Sequence, residues 1–541
     1  MCNNHNNTKK NARHGSALEH GDAHEKDHLN WSRRDFLANA GLVGMGSMFL
    51  GKSLNSAIAP SPLLAGLNNS ESDRVLVMIR LEGGNDGLNT TIMRGNSDYY
   101  NLRPNIAIQE SGLFGLSTEV GMPNSMLDIQ SHWQNNEMAV IHSVGYPDQN
   151  YSHFRSSDIW ASASDSEVVD TSGWMGRFLD RSYPAFLTTP PEIPPALQIG
   201  VQSNQVFFGP QTAMGLAVSN PQEFYQLAAT GQLYSTANLT NCPHDEELGF
   251  LRQVANNAFR YSGSIQDAYN NSTNGAIYQG DNYLAEQLAI VARMIKGQLG
   301  TRVYMVTIGG FDTHADQPVA HATLLNNLSS AVNSFFADLA ISGDDQRTVA
   351  MTFSEFGRTA HENGSFGTDH AAAAPMMLFG PQVGGGFYGT MPDLTNIVYG
   401  DYQFTTDFRS VYATLLQDWL CIAPELVDYT MGQGFSRISG LVEPCGPPAG
   451  LSDSAALLGH HPDPDSSTSV LIKYAVKNRG DLRLQLLNKA GQPIRTLFAG
   501  YRERGSYSYP FNRTQFNIAP GSYIYRIDIG GKRYQRGIVL N

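Results

Sequence analysis

Between Arg74 and Gly380 the chain carries six short apolar runs, each closed by glycine, proline or polar residues: RVLVMIRLEGGNDGLNT, MAVIHSVGYP, PALQIG, RVYMVTIGGFDTH, TVAMTFSEFG and APMMLFG. Runs of this length, apolar throughout, read as strands buried on both faces, the signature of a parallel sheet. Helical spacing appears between them. Leu284, Leu288, Val291 and Ile295 mark one apolar face, and Leu328, Val332, Phe335 and Leu339 mark another. Asp407 is placed to cap a third helix, with Phe408, Val411, Tyr412, Leu415 and Trp419 on its buried side. Strands alternating with helices predict an α/β domain, a mostly parallel sheet covered by helices on both faces, over residues 71–441. The stretch from Gln202 to Ser272 is polar and aperiodic, and reads as an insertion or lid. Beyond Val442 the composition turns to Pro, Gly, Ser and Asp, which predicts a linker over 442–468. From 469 to 541 the period is two: Val470, Ile472, Tyr474 and Val476, then Leu482, Leu484 and Leu486, then Tyr523, Tyr525, Ile527 and Ile529. That pattern predicts a small antiparallel β-sandwich.

Composition narrows the partners. The 541 residues hold 36 Lys and Arg against 49 Asp and Glu, a net charge of −13, with no sustained basic run. The electrostatic footprint of a nucleic-acid binder is missing, so no nucleic acid is expected. The four cysteines, Cys2, Cys242, Cys421 and Cys445, follow no metal-type spacing. Cys421 either pairs with Cys445 after export or stays a buried free thiol. Residues 1–70 read as a disordered, histidine-rich N-terminus followed by an address: WSRRDFLANAGLVGMGSMFL, with Arg33 and Arg34 side by side, resembles a twin-arginine export signal. Its apolar run, Ala38 to Leu50, falls short of the ~20 residues a spanning helix needs. A cleaved signal is expected, with no permanent membrane span. The partner it implies is the twin-arginine translocase, and the destination is the periplasm, the cell surface or the medium.

Four strand ends carry groups able to do chemistry. Glu82 and Asp86 follow the first strand, the stretch His142 to His153 follows the second, Asp312 and His314 stand in GGFDTH, and Glu355 closes TVAMTFSE, with Asp369 and His370 soon after. A parallel sheet brings such ends to one edge, where ligands bind in open α/β sheets. Carboxylates joined by imidazoles suit a divalent cation, and neutral His nitrogens favour Zn or Mn over Ca. Asp86, Asp312, His314, Glu355, Asp369 and His370 are the candidate ligands. Ser152 is the candidate attacking hydroxyl, and Arg155 the group that would hold an anionic oxygen. Two structural alternatives stand beside these roles: Asp86 serves the GGNDG turn, and Glu355 pairs with Arg358.

The motifs LEGGNDGLNT, VGYPDQNYSHFRSSDIW, GWMGRFLD, GGFDTH, FSEFGRTAHENGSFGTDHA and GGGFYG, in this order, resemble a large family of exported bacterial proteins catalogued as a domain of unknown function. That family is placed with the alkaline phosphatase and sulfatase superfamily. The resemblance implies an alkaline-phosphatase-like fold and metal-dependent hydrolysis of phosphate or sulfate esters. By order along the chain, it puts the superfamily's site residues on Asp86, Ser152, Asp312 with His314, Glu355 and His370. It departs at SEFG, where phosphatases have SDHG, so Phe356 stands at an expected histidine. The alternative is a non-catalytic surface protein of the same fold that binds a glycan, an anion or a protein. The C-terminal APGSYIYRI and GKRYQRGIVL resemble the sorting domains of the type IX secretion pathway, which implies that machinery as a further partner, and also flagellar-hook-cap-like sandwich modules.

Overall fold

The computed structural model describes residues 72–445 and 455–540, apart from 188–189, 201–202, 236–242, 464–465, 477–479, 489–490, 503–504 and 530–531. Arg33, Arg34, Cys2, Cys242 and residues 446–454 of the expected linker lie outside the described residues.

Every apolar run forms a strand. With two edge strands outside those six runs, β4 and β8, the strands are β1 (Val75–Glu82), β2 (Met138–Gly145), β3 (Ala196–Ile199), β4 (Gly215–Val218), β5 (Val303–Gly309), β6 (Thr348–Phe353), β7 (Ala374–Phe379) and β8 (Gly386–Tyr388). The sheet order is β8-β2-β7-β6-β1-β5-β3-β4, and Thr406–Asp407 pairs with β2. Neighbours are parallel except at β7, which runs antiparallel to both β2 and β6. The α/β class and the mostly parallel sheet are those expected from the sequence.

Period-two geometry explains how one buried strand serves two cores. In β1, Val75, Val77, Ile79 and Leu81 pack on one side with the apolar faces of α2 (Tyr283–Lys296) and α3 (Gln317–Ala340). Leu76 and Met78 pack on the other side with Ile159 and Trp160 of α1 (His153–Ser162) and with Phe408, Val411 and Tyr412 of α4 (Phe408–Thr414). Caps set the helix starts. The Asn282 side chain accepts from the Leu284 and Ala285 amides, and Asp407 accepts from the Arg409 amide.

Two expectations change. The stretch from Gln202 to Ser272 is not a separate insertion, since it supplies the edge strand β4 and the long helix Pro243–Asn270. His142 lies within β2 rather than beyond it.

The C-terminal part is all antiparallel. Its strands are β9 (Ala455–Asp463), β10 (Ser466–Val476), β11 (Gly480–Leu487), β12 (Pro493–Arg502), β13 (Gly505–Asn512), β14 (Gly521–Ile529) and β15 (Lys532–Leu540). They form two sheets, β9-β10-β13 and β12-β11-β14-β15, around a core of Ile472, Tyr474, Leu484, Leu486, Phe511, Tyr525 and Ile527. Strand β9 occupies part of the stretch read as linker. Among the described residues, no helix is long and apolar enough to cross a membrane.

Candidate metal centre

The register of the sheet decides which loops meet. Glu82 at the end of β1 lies opposite Gly309 of β5, and Arg80 lies opposite Phe353 of β6. The loops Gly83–Asp86, Gly310–His314 and Ser354–Arg358 therefore leave the sheet side by side. Gly83 is needed there: its φ is +121°, and a Cβ on it would sit 2.3 Å from the Asp312 amide nitrogen. Strand β7 enters the same edge from the other direction, so the residues before it, Asp369 and His370, face the ends of β1, β5 and β6. Helix α1, reached from the end of β2, delivers His153 at its first turn.

Four side chains meet at this edge. The Nε2 atoms of His153, His314 and His370 lie 3.4, 3.1 and 3.3 Å from Oδ1 of Asp312. The His314 and His370 Nε2 atoms are 2.9 Å apart. Donor atoms of His153, Asp312 and His370 all lie within 4.8 Å of one another. The opposite ring nitrogens each meet an acceptor. His153 Nδ1 lies 3.0 Å from Glu355 Oε1, His314 Nδ1 lies 3.0 Å from Asp369 Oδ1, and His370 Nδ1 lies 2.7 Å from the Tyr151 carbonyl. An ionised carboxylate and a carbonyl can only accept, so the Nδ1–H tautomer would satisfy all three acceptors and leave each Nε2 lone pair for a cation. His153, Asp312 and His370 could hold a divalent cation, with His314 beside them and outer hydrogen bonds in place on the imidazoles. Phe356 packs its ring against two of the imidazoles, at centroid distances of 4.8 Å to His153 and 4.3 Å to His370.

The charge states fit this role. Burial alone would raise the Asp312 carboxyl, but the Arg358 guanidinium at 2.7 Å holds it below its ordinary value. Burial pushes the His370 imidazole below its ordinary value, and the Tyr151 carbonyl opposes this only in part. His370 is therefore a neutral donor at pH 7. For Asp369, hydrogen bonds from Asn363 and His314 outweigh partial burial and lower its carboxyl.

The sequence-predicted residues fall into three groups. Asp312, His314 and His370 are in the cluster. Glu355 and Asp369 touch it from behind, each through the Nδ1 of an imidazole rather than as a ligand. Asp86 is elsewhere: fully buried, it forms a two-pronged ion pair with Arg103, at 2.7 and 2.9 Å, and accepts from Gln317. Burial would raise its carboxyl, but Arg103 overrides this and lowers it. Arg155 also makes its hydrogen bonds away from the cluster. Its guanidinium donates to the Ser166 and Val168 carbonyls at 2.8 and 2.7 Å, tying down the loop after α1. Ser152 is exposed at the start of α1, immediately before His153, and its side chain makes no capping bond. The alternative pairing of Glu355 with Arg358 does not form. Arg358, fully buried, donates to the carbonyls of Gly83, Gly84, Phe311 and Thr368 and to Asp312.

His153 is the donor that sequence reasoning passed over in favour of its neighbour Ser152. Its signal was available, because a first-turn histidine behind a strand end lies at the same sheet edge as the other donors. Cys421 and Cys445 are joined in a disulfide.

A family model described as a protein of unknown function matches residues 73–433. No curated protein matches the chain. Three solved structures illustrate what it is similar to. A Bacteroides thetaiotaomicron protein described under the metabolism of multiple glycosaminoglycans shares 10% identity, over 82% of this chain and 90% of that one, with a TM-score of 0.33. A sulfatase from Pseudoalteromonas sp. shares 10% identity over 84% and 88%, with a TM-score of 0.31. An alkaline phosphatase from the Antarctic bacterium TAB5 shares 9% identity over 59% and 94%, with a TM-score of 0.27.

Proposed function

Because the chain belongs to the DUF1501 family, which is defined without an activity, its chemistry has to come from its own residues, and we propose that it is an exported, metal-dependent hydrolase of phosphate or sulfate esters. One observation carries this reading: the Nε2 atoms of three histidines converge on a single oxygen of Asp312, while every matching Nδ1 is held by an acceptor. His153, Asp312, His314 and His370 would hold the ion, and the nitrogen-rich donor set favours Zn or Mn over Ca. Bound there, it would supply Lewis-acid stabilisation of an anionic ester oxygen.

The chain supplies the rest. Ser152, exposed one residue from a ligand, is the candidate nucleophile, and His153 begins α1, so the unpaired amides of that helix's first turn lie where an anion is favoured. One ion is expected rather than two. Asp86 is balanced by Arg103, and Asp312 already shares its charge with Arg358.

Export belongs to the same proposal: the Arg33-Arg34 pair would engage the twin-arginine translocase, and the C-terminal sandwich would engage a type IX secretion system. The Cys421–Cys445 disulfide suits an oxidising compartment.

The test is elemental analysis and titration calorimetry with supplied Zn and Mn, followed by assay on a generic aryl phosphate and aryl sulfate. Binding of one ion is expected in the parent, with binding lost in His153→Ala, Asp312→Asn and His370→Ala. Ser152→Ala should keep the ion and lose turnover. A parent protein that takes up neither metal sinks the reading. A second reading, a non-catalytic surface protein binding a glycan, an anion or a protein, is favoured by Arg155, whose guanidinium is engaged with main-chain carbonyls. A loaded protein without turnover of either ester selects it.

A further inference from the structure

The three imidazoles of the cluster are braced differently. His370 leans on a neutral carbonyl, His314 on a carboxylate that is 58% exposed and shared with Asn363, and His153 on Glu355, a glutamate that is 2% exposed. Glu355 Oε1 accepts from both the Gly83 amide, at 2.9 Å, and His153 Nδ1, at 3.0 Å, while Oε2 is buried with no hydrogen-bond partner. The Ser156 hydroxyl of α1 donates to the Glu355 main-chain carbonyl, so side chain and backbone of Glu355 both grip the turn that carries His153. A buried carboxylate with one oxygen unpartnered is destabilising. The hydrogen-bonded ionisable neighbour of this carboxylate is a cluster histidine.

From this geometry we infer that Glu355 is a positioning residue: it fixes His153 as the Nδ1–H tautomer, aims Nε2 into the cluster and makes that nitrogen a stronger donor. It does so without touching the ion. Asp369 does the same for His314 more weakly, because water screens an exposed carboxylate. The part of this inference that concerns affinity rests on the metal reading above, whereas the part that concerns the tautomer does not.

The experiment therefore has two arms. In metal-free protein with 15N-labelled histidine, long-range 1H–15N correlation reads the His153 tautomer, its signals identified by their loss in His153→Gln. The parent should show Nδ1–H. Glu355→Leu, which keeps bulk but removes the acceptor, should lose that preference. An Nε2–H tautomer in the parent, or an unchanged tautomer in Glu355→Leu, overturns the inference whether or not metal binds. In the second arm, calorimetry with Zn compares Glu355→Gln, which keeps the hydrogen-bond geometry and removes the charge, with the parent. Affinity should fall roughly 10–100-fold, against a change within about fivefold for Asp369→Asn. Equal losses in the two variants, or none in Glu355→Gln, overturn the charged-brace role. Should Glu355→Leu fail to fold, as thermal melting will show, the parent tautomer and Glu355→Gln still decide. Should the parent bind Mn but no Zn, the same comparison is made with Mn; should it bind neither, the functional proposal falls and the tautomer arm alone judges Glu355.

Discussion

Asp86 and Asp312 show how neighbours decide what a carboxylate does. Both follow a buried strand, and both have carboxyls held below their ordinary values against the pull of burial. Asp86 has no exposure and two guanidinium contacts, so its charge is already balanced; Asp312 is 48% exposed on its side chain and has three imidazoles against one oxygen. Asp86→Asn should therefore leave metal uptake intact and destabilise the fold by about 3–5 kcal/mol at pH 7, by stranding the buried Arg103. The sign with pH follows from the lowered carboxyl. An unfolded Asp86 binds a proton near its ordinary value of 3.8, more readily than the folded one. Its stabilising contribution is then complete above that pH and is lost as the pH falls through the lower, folded value. Chemical denaturation of parent and variant at pH 7 and again near pH 3 should show a gap that narrows in acid. Loss of metal from Asp86→Asn would return this residue to the ligand set.

At the scale of the element, the cluster is held by one side chain crossing several loops. Arg358 makes five hydrogen bonds, from Nε, Nη1 and Nη2, to the turn after β1, the loop after β5, the approach to β7 and Asp312. A lysine there has three donors on a single nitrogen and cannot reach all of these acceptors. Arg358→Lys should destabilise the protein by about 3 kcal/mol or more, since each abandoned buried carbonyl contributes roughly 1–3 kcal/mol. Urea denaturation checks this, and an unchanged midpoint would mean the loops hold without it. The strands themselves were legible because their apolar runs are continuous and end in polar residues, as in VLVMIRLE and TVAMTFSE. The helices α2 and α4 were legible from spacing and from Asp407. What spacing does not encode is direction and pairing. A strand buried on both faces has no alternation to reveal that β7 runs backwards. Nor does the sequence say that Asp86 meets Arg103 while Arg358 meets Asp312 rather than Glu355, because those choices are made by tertiary packing. His153 was passed over although its place behind a strand end was legible: a one-residue difference at a helix start separates an exposed hydroxyl from a donor inside the cluster.

At the scale of the whole molecule, the α/β part closes on itself before the C-terminal sandwich begins. Cys445 is joined to Cys421, a separation of 24 residues, and Arg74 ahead of β1 donates to the Asp418 and Glu443 carbonyls beside them. Closing a loop of that length should stabilise by about 3.5 kcal/mol through the unfolded chain. Cys421→Ser with Cys445→Ser, or reductant added to the parent, should lower the melting temperature by several degrees; equal melting curves would show that the bond constrains nothing the fold does not already fix. The sandwich keeps a core of its own, separate from the two that flank the large sheet. The reversed strand β7 has a consequence in time as well as in space. It sits between β2 and β6, with His370 just ahead of it, more than two hundred residues after His153. A chain still emerging from the ribosome holds His153 long before it holds His370, and the late strand must slip between two earlier ones before the donors can meet. No chain that ends before His370 presents the complete cluster, so an ion held by all four side chains would be acquired only after the residues leading into β7 have been made and placed.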